Sequence, residues 1–198
     1  MEIFCEKKKL VLQDIEEVLK GMNLGIIHKH ETDELLDTFI LIKFNGYLMT
    51  ILCSLKKDSD YLSLLAGFHP PAPLKRIGAV NKMLKLYNRA SNASGLSYSP
   101  FYIPPDENGM IYSHHSLYVR YEGLGVPKHI FKRMIDELIL GGYYFFPFVM
   151  KLFKNNISVK EAFAEFLHHV KEEEEKATVS SLPIGAHFEK PISFYRCF

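Results

Sequence analysis

The sequence predicts a domain of the α+β class, with helices packed on an antiparallel sheet. Strand-like segments follow one another through short turns, and helix-like segments stand before, between and after these groups of strands. Strands joined by short turns pair in antiparallel fashion, whereas a doubly wound fold would alternate strands with helices. The predicted order is α-β-β-β-α-β-β-α, followed by a C-terminal helix and a tail.

The first predicted element is a helix. Apolar residues from Leu10 to Leu19 recur mostly at three- and four-residue steps, and Gly21 and Gly25 follow as helix-end and turn residues. Residues 28–37 are polar, so they predict either a connection or a short first strand.

A hairpin is the clearest local feature of the chain. Residues 38–44 and 47–53 flank Asn45-Gly46, and this dipeptide favours a two-residue turn of type I′. Both strands are apolar at nearly every position, so we expect both faces of the hairpin to be covered at its centre. Residues 61–68 predict a third strand of the same meander.

The middle of the chain predicts a second helix and a second group of strands. A proline-rich connector over residues 69–73 leads into a helix over residues 74–90. Its expected apolar sector holds Ile77, Val80, Met83, Leu84, Leu86 and Tyr87. Residues 99–103 and 110–121 predict two further strands.

Two more helices are expected after these strands. The first begins near Pro127, and the pair Gly141-Gly142 should weaken, kink or split it. Residues 158–161 have the capping-box pattern, in which a serine and a glutamate three positions later satisfy free amide groups at a helix start. The expected buried face of this last helix holds Phe163, Phe166, Leu167 and Val170.

Length and composition are those of an ordinary folded domain. The chain has 198 residues, of which 47% are hydrophobic and 24% charged, and this excludes collagen-like, low-complexity and disordered classes. Lys and Arg number 24 against 23 Asp and Glu, so the net charge implies no overall attraction to nucleic acid or anionic lipid. We expect residues 1–155 to form one domain. Residues 156–198 should add a helix and an apolar tail that pack on the same domain or on a second subunit.

Several segments together form a family-like pattern. They are a helix with spaced asparagines (79–88), a short aromatic strand (101–103), two strand segments (109–112 and 117–119) and a long helix that ends in an aromatic-rich segment (143–153). In this order, residues 8–155 resemble the YbjN family of sensory transduction regulators, which has the type III secretion chaperone-like fold. The Gly-Gly pair, the basic middle helix and the added C-terminal region depart from the family pattern.

This resemblance implies a protein-binding role. Members of the fold mostly bind other proteins, often as dimers, and are not known as enzymes. By this analogy we expect a non-enzymatic, chaperone-like or regulatory domain that acts as a homodimer and recognises its partner through sheet edges and paired helices. Two alternatives stay open: a domain that binds nucleic acid or an acidic ligand, and an enzyme whose site has no recognisable motif.

The candidate anion- or partner-binding residues are basic. Lys75, Lys82, Lys85 and Arg89 occupy one stripe of the predicted middle helix. Basic side chains with nearby aromatic residues can bind single-stranded nucleic acid or an acidic protein surface, although a solvated helix face is the simpler interpretation. A third interpretation is that the acids of residues 172–175 fold back on this stripe, in the same chain or in a second subunit.

The candidate apolar docking residues lie in the tail. Phe188, Ile192, Phe194 and Tyr195 belong to a segment that is too apolar for a solvated tail. As a strand or a clamp, this segment could pack on its own core or on another chain.

Motifs for catalysis, cofactors and metals are absent from the sequence, and we predict no catalytic, cofactor or metal site. The sequence holds no nucleophile elbow, phosphate-binding loop or dinucleotide-binding motif. Its nine histidines include pairs at His28/His30, His114/His115 and His168/His169, none of which has metalloprotease spacing. Gly123-Leu124-Gly125 could direct amides at an anion, but a strand-to-helix turn is the simpler interpretation.

Cysteine usage and hydropathy indicate a reducing compartment. Three cysteines, with Cys53 inside an apolar strand pattern, argue against a secreted disulfide scaffold, so we expect a cytoplasmic protein. The longest apolar stretch, residues 141–150, is about half of what a membrane span needs.

Overall fold

Five α-helices and six strands are present in the described part of the chain. The computed structural model describes residues 2–44, 47–93, 101–104, 109–119, 125–154 and 157–179. The helices are α1 (Glu2–Gly21), α2 (Ile77–Ala93), α3 (Lys128–Leu140), α4 (Phe146–Lys154) and α5 (Val159–Val179). The strands are β1 (Ile26–Glu31), β2 (Leu35–Phe44), β3 (Tyr47–Lys56), β4 (Tyr61–His69), β5 (Phe101–Tyr102) and β6 (Ile111–Tyr118). A short 3-10 turn (Leu74–Arg76) precedes α2, and a π-helical turn (Gly141–Phe145) joins α3 to α4.

The strands form one antiparallel sheet in the order β1-β2-β3-β4-β6-β5. The prediction of an α+β fold with an antiparallel sheet is confirmed. The predicted strand count is wrong, because four strands instead of three precede α2. The extra strand is β1, which corresponds to the short first strand allowed for residues 28–37. The polar sequence of β1 does not show the apolar alternation by which strands are predicted. An edge strand with one neighbour can form without this alternation.

The connection between β2 and β3 has the predicted length. Phe44 pairs with Tyr47, which leaves two residues between the strands. Asn45 and Gly46 themselves lie outside the described residues. Because this pairing fixes the register of both ten-residue strands, it also decides which side chains share a face.

One face of the sheet is buried under the helices. On β3, residues at odd positions are buried from Tyr47 to Leu55, while those between them are partly or fully exposed. Helices α1, α2, α3 and α5 contribute Ile15, Val80, Ile135 and Phe166 to the same core, and all four side chains are fully buried. Burial of each such side chain stabilises the fold by about 1.5–3 kcal/mol. We call this side of the sheet the covered face.

The Gly141-Gly142 pair marks a π-helical turn instead of a break. A Cβ at Gly141 would stand 3.0 Å from the Phe101 ring, so glycine lets this ring approach the helix. The Tyr47 hydroxyl donates a hydrogen bond of 2.7 Å to the Gly142 carbonyl, and this bond ties the turn to the start of β3. Burial raises the pKa of Tyr47 above its usual range, which keeps this donor protonated.

Helix α1 begins eight residues before its predicted start, and two lysines hold its first turns. Lys7 donates to the Ser59 carbonyl at 2.9 Å, and Lys8 donates to the Thr32 carbonyl at 2.7 Å. Both side chains are almost fully buried, with their ammonium groups also near Asp60 and Glu31. These charge-assisted bonds link α1 to the turns that follow β1 and β3.

The start of α5 confirms the predicted capping box. The Ser158 amide donates to the Glu161 carboxylate at 2.7 Å, and the Glu161 amide donates to the Ser158 hydroxyl at 3.2 Å. Phe166 is fully buried and Val170 nearly so, whereas Phe163 and Leu167 are half-buried. Helix α5 therefore packs on the same domain that precedes it.

Candidate functional site

The surface of the sheet that faces away from the helices has an apolar centre. Positions paired across antiparallel strands point to the same side, so the registers define rows that cross the sheet. The central row holds His28, Phe39, Leu52, Leu65 and His114. The row nearer the β2–β3 hairpin holds Leu41, Thr50, Gly67, Tyr112 and Tyr102. The row on the other side is polar and holds His30, Asp37, Ser54, Ser63 and Ser116. We call these three rows the open face.

The described helices leave the open face uncovered. Phe39, Leu52 and Leu65 are half-buried by their neighbours in the sheet, yet they neither belong to the buried core nor pack against it. The Phe39 ring lies 5.6 Å from the ring of His28 on the adjacent strand. The sequence predicts that both faces of the hairpin are covered at its centre. The described residues cover only one of these faces.

A glycine extends the apolar surface by admitting an aromatic ring. A Cβ at Gly67 would stand 3.4 Å from the Tyr112 ring, so this ring occupies the space above the glycine. Aromatic cover of a strand glycine restores packing that the missing side chain would otherwise provide. Across the four longest strands, the central row and the row nearer the hairpin together measure about 20 Å by about 13 Å, from the spacing and rise of β-strands.

A serine and a histidine form a hydrogen-bonded pair at the polar end of this face. The Ser63 Oγ and His114 Nε2 atoms lie 2.8 Å apart, on the adjacent strands β4 and β6. A hydroxyl at this distance from an imidazole is the first requirement for nucleophilic catalysis. Sequence reasoning missed the pair because its two residues are 51 positions apart and only the β4–β6 register brings them together.

The surroundings of the pair favour binding over acyl transfer. Among the side chains of the three rows, Asp37 provides the carboxylate. It lies on β2, three strand spacings of about 4.8 Å each from β6, which carries His114. It therefore lies too far away to orient the imidazole as a triad acid does. Ser63 stands in a strand with hydrogen-bonded neighbours on both sides, which directs its local amides into the sheet instead of toward an oxyanion. The pair can accept and donate hydrogen bonds at the rim of an apolar surface.

The predicted basic residues form a second surface, on helix α2. Lys82, Lys85 and Arg89 are exposed along the helix, and Lys75 is exposed in the short turn before it. Within the described residues none of these four cations forms an ion pair. Leu86 stands among them with 38% of its surface exposed, which corrects its expected place in the apolar sector. We call these five residues the basic face.

Three acids at the end of α5 have basic partners on the same helix. The Glu172 carboxylate lies 3.4 Å from the His168 ring, and Glu173 pairs with Lys176 at 2.7 Å. Glu175 approaches Lys171 at 3.9 Å. These contacts lie within α5, so Glu172 and Glu173 have partners on their own helix in the described chain. Contact of the acids of residues 172–175 with the basic stripe, in the same chain or in a second subunit, stays a prediction. Hydrogen bonding to Lys176 lowers the pKa of Glu173.

The predicted glycine turn before α3 is occupied by a carboxylate from the chain itself. Gly125 has a φ of +44°, and the Val126 amide donates a hydrogen bond of 2.9 Å to Asp14. Lys128 completes the cluster at 3.1 Å from the same carboxylate. The amide that could have faced an external anion therefore binds Asp14. Gly123 and Leu124 lie outside the described residues.

The histidines and cysteines of the described chain are not gathered into a site. In that part of the chain, no three His, Cys, Asp or Glu side chains come close enough to hold a metal ion. His114 is exposed on the open face, whereas His115 is 93% buried on the covered face, as alternation along a strand requires. Cys53 is buried, and burial raises the pKa of its thiol to about 12, so it behaves as a small apolar residue. Among the described helices, none combines the length and the apolar character needed to cross a bilayer.

The candidate docking residues of the tail, Phe188, Ile192, Phe194 and Tyr195, lie outside the described residues. The sequence could have located the open face in part, because the two-residue hairpin fixes the pairs Phe39–Leu52 and Leu41–Thr50. It could not tell which of the two apolar faces the helices cover.

Comparison of the chain with protein-family models, with curated proteins and with solved structures finds no match.

Proposed function

We propose that this protein is a non-enzymatic, chaperone-like or regulatory domain that binds an apolar segment of another protein on its open face. The observation that carries the proposal is the apolar centre of the sheet, which the described helices leave uncovered, with Phe39, Leu52 and Leu65 outside the core of the described residues. Covering such a surface gains about 25 cal/mol for each Å² of apolar area removed from water. The Ser63–His114 pair and the neighbouring serines supply hydrogen-bonding groups at its rim.

The edges of the sheet support recognition less well than its face. Strand β1 has an irregular register between Ile26 and His28, and it carries Lys29 on an exposed edge. Bulges and edge lysines are common devices against strand addition. At the other edge, β5 has only two residues. Recognition therefore uses side chains of the open face instead of backbone pairing at the edges of the sheet.

We also propose that the protein forms a homodimer and is cytoplasmic. We further propose that it has the type III secretion chaperone-like fold, which its element order resembles. Light scattering on a size-exclusion column tests the dimer. We expect about 46 kDa, twice the 22.9 kDa of one chain, at both low and high salt. A salt-independent mass of one chain would contradict the homodimer.

Binding of an unfolded polypeptide tests the role of the open face. The probe is fluorescently labelled, reduced and alkylated lactalbumin, which stays unfolded, and the readout is fluorescence anisotropy. The variant L52K/L65K places two charges in the apolar centre, and we expect at least a tenfold loss of affinity, since about 1.4 kcal/mol corresponds to a factor of ten. The variant K82E/K85E changes as many residues on α2 and should bind as the wild type does. Equal binding by wild type and L52K/L65K would contradict the proposal.

A second candidate function uses the basic face. Its support is a group of exposed cations on a helix without acidic residues, with Leu86 between them; among the described residues these cations have no ion-pair partner. An acidic peptide or single-stranded nucleic acid would match this charge. Binding of labelled oligothymidylate or polyglutamate that weakens steeply with salt, and that K82E/K85E abolishes, would favour this function.

A further inference from the structure

We propose that the open face binds an apolar segment with carboxylates at both ends, and that His28 and His114 bind these carboxylates more tightly as the pH falls. This inference rests on the proposed function, because it names the chemistry of the partner at the same site. The occupant is an apolar polypeptide segment flanked by acidic residues. Its charge is opposite to the charge that the open face acquires when its histidines bind protons.

Two exposed histidines stand at the ends of the apolar central row. His28 lies on β1 and His114 lies on β6, and the three strands between them place Phe39, Leu52 and Leu65 in line. Four strand spacings of about 4.8 Å put the two histidine positions about 19 Å apart. About six residues of an extended segment span this distance. A segment that crosses the apolar row therefore brings its flanking residues to His28 and His114.

The ionisable groups on this surface are mostly basic. Asp37 pairs with His30 across β1 and β2, so it does not lie at either end of the central row. Tyr112 and Ser116 flank His114 on the same face of β6. A carboxylate at an end of the row is attracted more strongly with each histidine that binds a proton. Among the described residues, the lysines, histidines and acids of the open face and of the row on either side of it are Lys43, Lys56, His28, His30, His69, His114 and Asp37.

Both end histidines can carry a proton in this setting, since histidine ordinarily changes its charge between about pH 5 and pH 8. The Ser63 Oγ atom lies 2.8 Å from His114 Nε2, and a hydroxyl can donate to a neutral imidazole or accept from a charged one. The Phe39 ring, 5.6 Å from the His28 ring, also packs favourably against a cation. Burial, and to a lesser extent His114, lower the pKa of the adjacent His115 to about 4, so the covered face adds no charge in this range.

Binding of two synthetic peptides tests this inference. Each carries a rhodamine label and a six-residue apolar centre. The first peptide has two glutamates on either side of this centre, and the second has glutamines at the same positions. Fluorescence anisotropy measures the Kd of each peptide at pH 7.5 and pH 6.0. Glutamate stays ionised at both pH values while imidazolium forms at the lower one, so we expect the Kd of the glutamate peptide to fall about tenfold and that of the glutamine peptide by less than about twofold.

Three double variants assign the effect to particular histidines. H28Q/H114Q should reduce the pH-dependent gain in affinity to less than about twofold. H129Q/H168Q, which changes two exposed histidines on α3 and α5, should keep the full gain. H28K/H114K fixes the positive charge, so it should bind the glutamate peptide equally well at both pH values. Circular dichroism checks that each variant is folded.

Three results would overturn the inference. The first is equal affinity for the two peptides at pH 6.0, and the second is a pH-dependent gain that H28Q/H114Q retains. The third is a gain that K82E/K85E abolishes, which would place the carboxylates on the basic face.

The glutamine peptide separates this inference from the proposed function, because it carries no carboxylate on its side chains. If L52K/L65K weakens its binding and the wild type shows no preference for the glutamate peptide, the inference is wrong and the proposed function stands. If L52K/L65K binds the glutamine peptide as the wild type does, while the glutamate peptide binds in a pH-dependent way that needs His28 and His114, the carboxylate sites stand and the proposed apolar docking is wrong.

Discussion

The two faces of the sheet are built from similar amino acids but have different environments. On β4, Leu64 points to the covered face and is fully buried, while its neighbour Leu65 points to the open face and is half-buried. On β6, His115 and His114 show the same contrast. Burial in this domain is therefore decided by where the helices pack, and not by the hydrophobicity of a strand. An apolar residue on the open face is available to a ligand because the described helices do not cover it.

The largest expected effect comes from comparing the two leucines of β4. Leu64→Ala removes a fully buried side chain and leaves a cavity, so it should lower the free energy of unfolding by about 3 kcal/mol. Leu65→Ala removes the same atoms from the open face and should cost less than about 1 kcal/mol. Urea unfolding of both variants measures the difference. Equal losses would mean that a second core lies on the open face.

The sequence predicts the helices, strands and turns better than it predicts which face of the sheet is covered. Hairpin length, the capping box and the buried sector of α2 follow from local rules, as Phe44–Tyr47, Ser158–Glu161 and Tyr87 show. Local rules cannot say which face is open, because both faces of β2 and β3 are apolar. Local rules also placed Leu86 in the core, although it is exposed. Periodicity defines the apolar sector of a helix, but it does not say how much of that sector the neighbouring elements cover.

The candidate sites depend on contacts between distant parts of the chain. The predicted stripe of basic residues is exposed on α2, because one helical surface carries Lys82, Lys85 and Arg89. The sequence could not pair Ser63 with His114. This pair depends on the register between β4 and β6, which are separated in the sequence by the whole of α2. Likewise, nothing local to Gly125 indicates that Asp14 will bind the amide beside it.

A glycine substitution tests whether the helices on the covered face are fixed in place. A Cβ at Gly125 would overlap the Asp14 carboxylate, and the φ of +44° disfavours alanine. We expect Gly125→Ala to lower the free energy of unfolding by about 2–3 kcal/mol, since the Val126 hydrogen bond is lost as well.

The control for this variant is Gly78→Ala on α2, where a new Cβ would have nothing within 4 Å. Alanine at this helical position should raise the free energy of unfolding by about 0.5 kcal/mol. Urea unfolding measures both variants, and a destabilising Gly78→Ala with a neutral Gly125→Ala would contradict the described packing.

The histidine of the covered face gives a pH-dependent stability. Burial, and to a lesser extent the neighbouring His114, lower the pKa of His115 to about 4. In the unfolded chain this group has its usual pKa near 6.5 and binds a proton that the folded state excludes, so stability falls as the pH drops from about 6.5 toward 4. Between pH 7 and pH 5 the contribution is about 2 kcal/mol.

The variant His115→Leu should remove this contribution. Denaturant unfolding at pH 7 and pH 5 measures the difference between the variant and the wild type. A loss of stability at low pH that is the same in both chains would show that other groups cause it.

The smallest effect is expected on the basic face. Lys82 and Lys85 are exposed, and in the described chain they form no ion pairs, so K82E/K85E should leave the melting temperature unchanged. Any clear loss of stability would show that Lys82 or Lys85 makes a stabilising contact and would contradict this expectation. Thermal unfolding at low salt, where such contacts are strongest, gives the most sensitive measurement.

Thiol labelling tests the difference between the two faces most directly. In a chain with Cys5→Ser and Cys197→Ser, the variant Ser63→Cys places a thiol on the open face, while Cys53 remains on the covered face. We predict that the thiol at position 63 reacts in the native protein, that unfolded lactalbumin slows its reaction, and that Cys53 reacts only on global unfolding. If the thiol at position 63 reacted as slowly as Cys53, the open face would be closed and the proposed binding surface would be wrong.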